Sequence, residues 1–217
     1  MKNTSSILLL FVVLVLMFNL TGCDKLSPTK LEANHYLKQA NQDYTEEKYK
    51  AAIKAYEKAL ELNPELKIAY IYLGTACSQS YRPGKQDDRN KEFAEKGIKY
   101  LLLAREFQPE NDTVVLALGD LYDKTGEYEK AKEMYEHILN KQKETYQAKV
   151  DAAASANTEE AEKEKKEAYE TLAKAYYTLA NFYSKNAKTE EAEKMYKERI
   201  ELDFKDKEGY HFYVGFL

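Results

Sequence analysis

The side chains that could carry out chemistry are few in this sequence and lie far apart. The three histidines, His35, His137 and His211, fall in separate regions, and neither they nor the two cysteines stand at a metal-ligand spacing. Cys23 follows a long apolar run, whereas Cys77 sits inside a helical pattern that favours a buried, inert thiol. The sequence contains no glycine-rich phosphate loop, nucleophile elbow or His-Glu-x-x-His motif. It therefore predicts a protein that is not an enzyme and that needs no metal or cofactor.

Composition points to helices and away from nucleic acid. Only 8 of the 217 residues are glycine and 4 are proline, while charged residues make up 32% and apolar ones 44%. The formal net charge is −4, with both signs interspersed along the chain, so a nucleic-acid partner is not expected. The two cysteines allow one disulfide at most, and their separate contexts argue against it.

The first 22 residues have the layout of an export signal. A start with one positive charge precedes an unbroken apolar run at residues 7–18, ILLLFVVLVLMF. As a helix this run would be about 18 Å long, which is short of the bilayer core of about 30 Å. A charged start, a short apolar stretch and a small-residue junction are typical of a secretory signal peptide.

The four residues after the apolar stretch, Leu20, Thr21, Gly22 and Cys23, resemble the bacterial lipobox. The resemblance implies that the Cys23 sulfur receives a diacylglyceryl group, that the chain is cleaved before Cys23, and that the new amine is often acylated. Two or three acyl chains anchor a protein stably. The implied location is a bacterial membrane, facing outside the cytoplasm, with inner and outer membrane both open. A secreted protein with a stray thiol and an uncleaved membrane helix are the alternatives.

Small residues recur along the rest of the chain at a fixed period. Ala40 and Gly74 lie 34 residues apart, and so do Gly97 and Ala131. The first-helix small residues are Ala40, Gly74, Gly119 and Ala180, and the second-helix ones are Ala52, Gly97, Ala131 and Ala192. A large apolar residue follows each second-helix position after four residues, as Tyr56, Leu101, Tyr135 and Tyr196. This pattern resembles the tetratricopeptide repeat, a helical hairpin of 34 residues in which small residues let helices approach closely.

The resemblance implies an all-α solenoid of about four such hairpins, with two insertions. Gly74 to Gly97 is longer than the repeat requires, which places a loop at 80–90. Extra residues also lie between repeats three and four, in a segment without Pro or Gly. Such a segment predicts one long protruding hairpin. Its turn is expected near 155–158, where Asn157 with Glu160 is typical of a helix cap. The predicted segments are a signal peptide (1–22), a tether (23–32), repeat 1 (33–66), repeat 2 with its loop (67–111), repeat 3 (112–142), the extended hairpin (143–172), repeat 4 (173–206) and a partial fifth helix or aromatic tail (207–217).

Members of this family usually bind partners in the concave groove formed by the first helices. The groove positions of the family fall here on Asn34, Leu37, Asn41 and Tyr44 in repeat 1, Ile71, Thr75 and Ser78 in repeat 2, Leu116, Asp120 and Asp123 in repeat 3, and Tyr177, Asn181 and Ser184 in repeat 4. A Lys that clamps a peptide carboxylate in some members is replaced by Leu37, Ile71 and Leu116. The mixed polar, aliphatic and tyrosine lining favours an extended or helical protein segment. Alternatively, several of these side chains only pack against neighbouring helices.

Two further stretches have open interpretations. The run 159–170 alternates Glu and Lys at helical spacings, which is typical of a solvated helix face but also suits a docking surface. The aromatic end, 208–217, either packs on repeat 4 or presents an apolar patch to a partner or a second copy. Arg199 stands where the repeat expects a small residue.

The expected function is that of a lipid-anchored adaptor or scaffold that binds other proteins in the bacterial cell envelope. By analogy with other lipidated proteins of this family, such an adaptor would serve a secretion, pilus or wall-synthesis assembly. One alternative is a structural spacer or self-associating protein without a dedicated peptide ligand. Another is an enzyme, or an obligate subunit of one. No small-molecule substrate is expected.

Overall fold

The computed structural model describes residues 27–202 and 207–216. The predicted signal peptide and residues 23–26 of the predicted tether, Cys23 included, lie outside these ranges. Within them the chain forms helices and no strand. The helices are α1 (Pro28–Thr45), α2 (Tyr49–Leu62), α3 (Ile68–Ser80), α4 (Asp88–Phe107), α5 (Asp112–Thr125), α6 (Tyr128–Ala156), α7 (Glu159–Lys185), α8 (Thr189–Leu202) and α9 (Lys207–Phe216).

Consecutive helices pack as antiparallel hairpins, and the hairpins stack in chain order. The pairs are α1 with α2, α3 with α4, α5 with α6, and α7 with α8, and each hairpin also contacts the next one. The helix α9 packs on α8 at the end of the stack. This confirms the predicted all-α solenoid of helical hairpins, in which each unit buries its apolar flanks against its neighbours.

The small residues lie where helices approach most closely. A Cβ atom added to Gly119 would come within 2.9 Å of Cε1 of Tyr135 and 3.2 Å of Cβ of Met134. One added to Gly74 would lie 2.6 Å from Cγ of Leu101. Ala40, Ala52, Ala131, Ala180 and Ala192 are fully buried. These positions therefore fix the distance between paired helices, as the repeat pattern predicts.

Helix α1 begins at Pro28, inside the segment predicted as a tether at 23–32. Proline is well suited to this position because its φ angle is already helical and its missing N–H group has no partner in the first turn. The helix therefore starts about one turn before the predicted repeat boundary at residue 33.

The loop of the second repeat is shorter than the predicted stretch 80–90. Helix α3 continues through Ser80, and α4 begins at Asp88, so the loop covers residues 81–87. The side chain of Asp87 accepts a hydrogen bond from the Asn90 backbone N–H (2.9 Å), which caps α4 and sets its start. Part of the inserted length therefore extends α4 at its amino end.

The long hairpin consists of α6, with 29 residues, and α7, with 27. Each is roughly twice as long as α2 or α5, which have 14 residues. The turn lies at Asn157 and Thr158, within the expected region, but the capping prediction was wrong. Thr158 caps α7 by accepting a bond from the Ala161 N–H (3.3 Å), while Asn157 adopts a left-handed φ of 49° that ends α6.

The aromatic end of the chain packs on the fourth hairpin. The Phe212 ring lies 4.3 Å from the Tyr177 ring, and Phe216 lies 5.2 Å from Tyr196, both between ring centroids. The opposite side of α9 leaves Val214 68% exposed. The packing on repeat 4 is therefore confirmed, and a partner or a second copy at the exposed face stays a prediction.

Arg199 is buried, with 3% of its surface exposed, although the repeat pattern expects a small residue there. Its Nη2 donates to Oε2 of Glu208 (2.9 Å), and its guanidinium lies 5.2 Å from the Phe212 ring centroid. The arginine therefore joins α8 to α9 through a charge-assisted hydrogen bond and a cation–π contact.

Along the described ranges no helix is both long and apolar enough to cross a membrane.

Candidate functional site

The first repeat leaves its groove positions accessible. Asn34 and Asn41 are exposed on α1, and Leu37 and Tyr44 are half-buried beside them. Asn41 is held in place because its Oδ1 accepts a hydrogen bond from the Tyr56 hydroxyl (2.7 Å). Burial raises the pKa of Tyr56, so this hydroxyl stays protonated and remains a donor. The predicted groove residues of this repeat thus form a surface of fixed geometry.

A cluster of tyrosines extends that surface toward the second repeat. The Tyr44 ring lies 5.5 Å from both Tyr49 and Tyr72, with edge-to-face geometry. Tyr72 also stacks on Tyr56 at 6.2 Å and is 39% exposed. Sequence reasoning missed Tyr72 because it does not occupy a groove position of the family. No pattern in the sequence distinguishes it, because the exposure of one tyrosine in the apolar run of α3 depends on how the hairpins stack.

The second repeat departs from the expected groove. Ile71, Thr75 and Ser78 are buried, with 6%, 8% and 2% of their surfaces exposed. Thr75 Oγ1 donates to the Ile71 carbonyl (2.9 Å), and Ser78 Oγ donates to Oδ2 of Asp120 (3.2 Å) in the next repeat. These three side chains therefore do not face an open groove, and the Ser78 bond joins the second repeat to the third.

In the third repeat the two acidic groove positions already have partners. Asp120 pairs with Lys124 (2.6 Å), and Asp123 Oδ1 accepts from the Asn186 side chain (3.1 Å). Leu116 is half-buried between them and the core. The Asp120 carboxylate is therefore paired with a cation and the Asp123 carboxylate with an amide, so neither is free of a partner inside the protein.

At the fourth repeat the groove ends against α9. Asn181 is half-buried and Ser184 is exposed, while the Tyr177 ring is covered on one side by Phe212. Tyr177, Phe212, Arg199 and Lys174 line a cavity of about 340 Å³ between α7 and α9. Sequence reasoning gave Phe212 no role in the groove, because the contact joins residues from two separate repeats.

Cys77 is completely buried, and burial raises the pKa of its thiol to about 12. At neutral pH the group is therefore a protonated thiol, which is a poor nucleophile. No three His, Cys, Asp or Glu side chains within residues 27–202 and 207–216 lie close enough to hold a metal ion.

The sequence matches the family description "tetratricopeptide repeat" at residues 44–66, 113–140 and 173–206. These matches fall on parts of repeats 1 and 3 and on the whole predicted repeat 4. The second repeat is not matched, which fits its inserted loop and lengthened α4. No curated protein matches the chain.

Solved structures of repeat proteins resemble it at low sequence identity. TTC0263, described as a thermophilic TPR protein in Thermus thermophilus, is 20% identical, with 85% of this chain and 98% of that one covered and a TM-score of 0.44. A tetratricopeptide repeat protein from Parabacteroides merdae is 14% identical, over 86% and 72% of the two chains, with a TM-score of 0.43. The MamA protein is 17% identical over 82% and 94%, with a TM-score of 0.42.

Proposed function

We propose that this chain, an all-α array of tetratricopeptide repeats, is an adaptor. It binds protein partners at a bacterial membrane. The observation that carries the proposal is the accessible part of the groove. Leu37 and Tyr44 on α1, Leu116 on α5 and Asn181 on α7 remain at least partly exposed, whereas the groove positions of α3 are buried. Accessible side chains of mixed polar, aliphatic and aromatic character suit an extended or helical protein segment.

Site-specific photo-cross-linking in intact cells tests the binding surface. A photoreactive phenylalanine analogue is introduced at Leu37 and at Leu116, and separately at Lys54 and Glu133, which are exposed on the second helices. The groove positions should capture the same discrete protein, and the control positions should not. Equal capture from both sets, or capture from neither, would contradict an adaptor that uses its groove.

The membrane part of the proposal concerns Cys23, which carries the lipid in this scheme. Substitution Cys23→Ser removes the only sulfur at the predicted lipobox and should leave the signal peptide uncleaved, because lipid transfer precedes cleavage in the pathway that the lipobox implies. Metabolic labelling with a palmitate analogue and membrane fractionation measure the effect. An unlabelled wild type, or a variant with unchanged processing, would contradict lipid anchoring.

The alternative is a spacer that associates with itself. The exposed Tyr210 and Val214 on α9 favour this candidate, since an apolar end face can pair with a second copy. The mass of the chain in detergent, measured across protein concentration by analytical ultracentrifugation, distinguishes the two. A monomer at all concentrations favours the adaptor, and a concentration-dependent dimer favours the spacer.

A further inference from the structure

A second surface lies at the turn ends of the first two hairpins, outside the groove. It is a cavity of about 560 Å³ between the turn that joins α1 to α2 and the 81–87 loop, with further walls from the end of α3 and the start of α4. The predicted insertion, 80–90, supplies six of its 13 lining residues. An inserted loop is not needed for stacking, so the cavity requires a separate explanation.

The loop is held rigidly by one buried side chain. Asn90, 4% exposed, donates Nδ2 to the carbonyl oxygens of Arg82 (2.8 Å) and Lys85 (2.8 Å), and its Oδ1 accepts from the Arg82 N–H (2.8 Å). Asn90 therefore uses its donors and its acceptor to fix the loop backbone. The loop backbone is therefore fixed before any ligand arrives, which lowers the entropic cost of binding.

The cavity is basic, although the chain as a whole is acidic. Its walls carry five cationic side chains and two acidic ones, against a formal net charge of −4 for the sequence. Lys48 pairs with Glu46 (2.6 Å), and Lys85 pairs with Asp87 (2.8 Å). The remaining cations are Lys50, Arg82 and Arg89. None of them has an acidic partner within 4 Å in the described part of the chain.

The walls also contain aromatic surface and an unpaired hydroxyl. Tyr49 and Phe93 line the cavity beside the three unpaired cations. The Ser80 hydroxyl on the same wall is buried and has no hydrogen-bond partner in the described ranges. Cations next to aromatic rings suit a ligand that combines negative charge with an apolar group. The volume is that of a pocket for several side chains and exceeds what one small ion needs.

We propose that this basic cavity binds an acidic segment of a protein partner, one that carries an aromatic or aliphatic side chain among its carboxylates. The proposal rests on the proposed adaptor function and adds a second contact to it. The carboxylates pair with Lys50, Arg82 and Arg89, and the apolar side chain lies against Tyr49 and Phe93. Recognition is mainly electrostatic, so it weakens as salt concentration rises.

Fluorescence anisotropy on the full chain in detergent tests the cavity. The probes are fluorescein-labelled hexapeptides of Asp and Glu with one Phe at each position in turn, and matched peptides in which Asn and Gln replace the acidic residues. The triple variant K50Q/R82Q/R89Q should bind the acidic peptides at least tenfold more weakly than the unmodified chain. The matched control K38Q/K166Q/K185Q changes the net charge by the same amount. Its three lysines are exposed and form no ion pair with another described residue. This control should alter the affinity less than twofold.

Several outcomes would overturn the inference. They are the absence of acidic-peptide binding, equal losses in the two triple variants, and equal binding of the neutral peptides. Preferential binding of phosphatidylglycerol vesicles would also overturn it, because it points to a phosphate ligand. Displacement of the peptides by millimolar inorganic phosphate would do the same. Cross-links from Leu37 and Leu116 do not depend on these cations, so the groove can be supported while the cavity fails, and the reverse also holds.

Discussion

Single residues in this chain act mainly through size and burial. Gly74 and Gly119 leave room for Leu101 and Tyr135, and any side chain at either position would meet its neighbour at under 3.0 Å. Tyrosine supplies the aromatic packing that tryptophan often provides, since the sequence contains 19 tyrosines and no tryptophan. Arg199 shows that a large charged residue can take a small residue's position when another helix supplies its carboxylate and its ring.

The buried thiol predicts a pH effect on stability. Cys77 has a pKa of about 12 in the folded chain, against an ordinary value of about 9. The unfolded state therefore loses its thiol proton first as pH rises, so the contribution of Cys77 to stability is complete below about pH 9 and decreases between about pH 9 and 12. Both chains compared here carry Cys23→Ser, and one of them also carries Cys77→Ala. Between about pH 9 and 12, the free energy of unfolding of the chain that keeps Cys77 should fall more steeply, by up to about 1.4 kcal/mol per pH unit.

Urea unfolding followed by circular dichroism at several pH values measures this difference. The Cys77→Ala chain keeps every tyrosine, so it controls for the tyrosine hydroxyls that also ionise in alkali. Parallel pH profiles for the two chains would show that the thiol is not buried in this way.

The helices differ in what determines their ends. Asp87 and Thr158 cap α4 and α7 with side-chain hydrogen bonds, and Gly126 ends α5 in a left-handed conformation with φ of 81°. The last helix, α9, is held by aromatic packing, because Phe212 and Phe216 meet Tyr177 and Tyr196 of the fourth hairpin.

Because α9 is held by packing, two substitutions on it should differ in their effect on its local stability. Phe212→Ala removes the ring that covers Tyr177 and Arg199, and should lower the local stability of α9 by about 1–2 kcal/mol. Amide hydrogen exchange along Lys207–Phe216 should then accelerate about tenfold. Val214→Ala on the same helix is the control, and its exchange should stay unchanged because Val214 is 68% exposed. Equal effects of the two substitutions would mean that α9 does not pack through Phe212.

The molecule as a whole is a linear array with one outgrowth. Each hairpin contacts its sequence neighbours, so stability is divided among the interfaces between successive units. The outer part of the long hairpin is held by contacts between its own helices, such as Lys149 with Glu164 (2.7 Å) and Tyr146 with Tyr169 (6.0 Å between centroids). Such a projection increases the reach of the molecule and adds no interface to the stack.

Shortening this hairpin should therefore leave the array stable. Deleting residues 147–153 and 162–168 removes about two turns from each helix and keeps both helix phases and the turn. The hydrogen bonds and ion pairs of these segments stay within the hairpin, so the free energy of unfolding should change by less than about 1 kcal/mol. Urea denaturation of the full and shortened chains provides the measurement. A loss above about 2 kcal/mol would indicate that the outer hairpin supports the stack.

The fold and the unit count could be predicted from the sequence because the stacking contacts are periodic. A small residue that recurs after 34 positions, followed by a large apolar one, specifies the same interface each time. The long hairpin was predictable for a related reason, since its segment contains neither Gly nor Pro to end a helix.

Accessibility was decided by the tertiary structure alone. The sequence places Ile71, Thr75 and Ser78 on the groove side of α3, but they are buried, while Tyr72, outside the pattern, is exposed. The repeat also gives no information about the 81–87 loop, whose shape depends on the buried amide of Asn90, or about the cations that meet across the cavity. Periodicity describes contacts that every unit shares, whereas exposure and charge clustering depend on how unlike segments from different units come together in space.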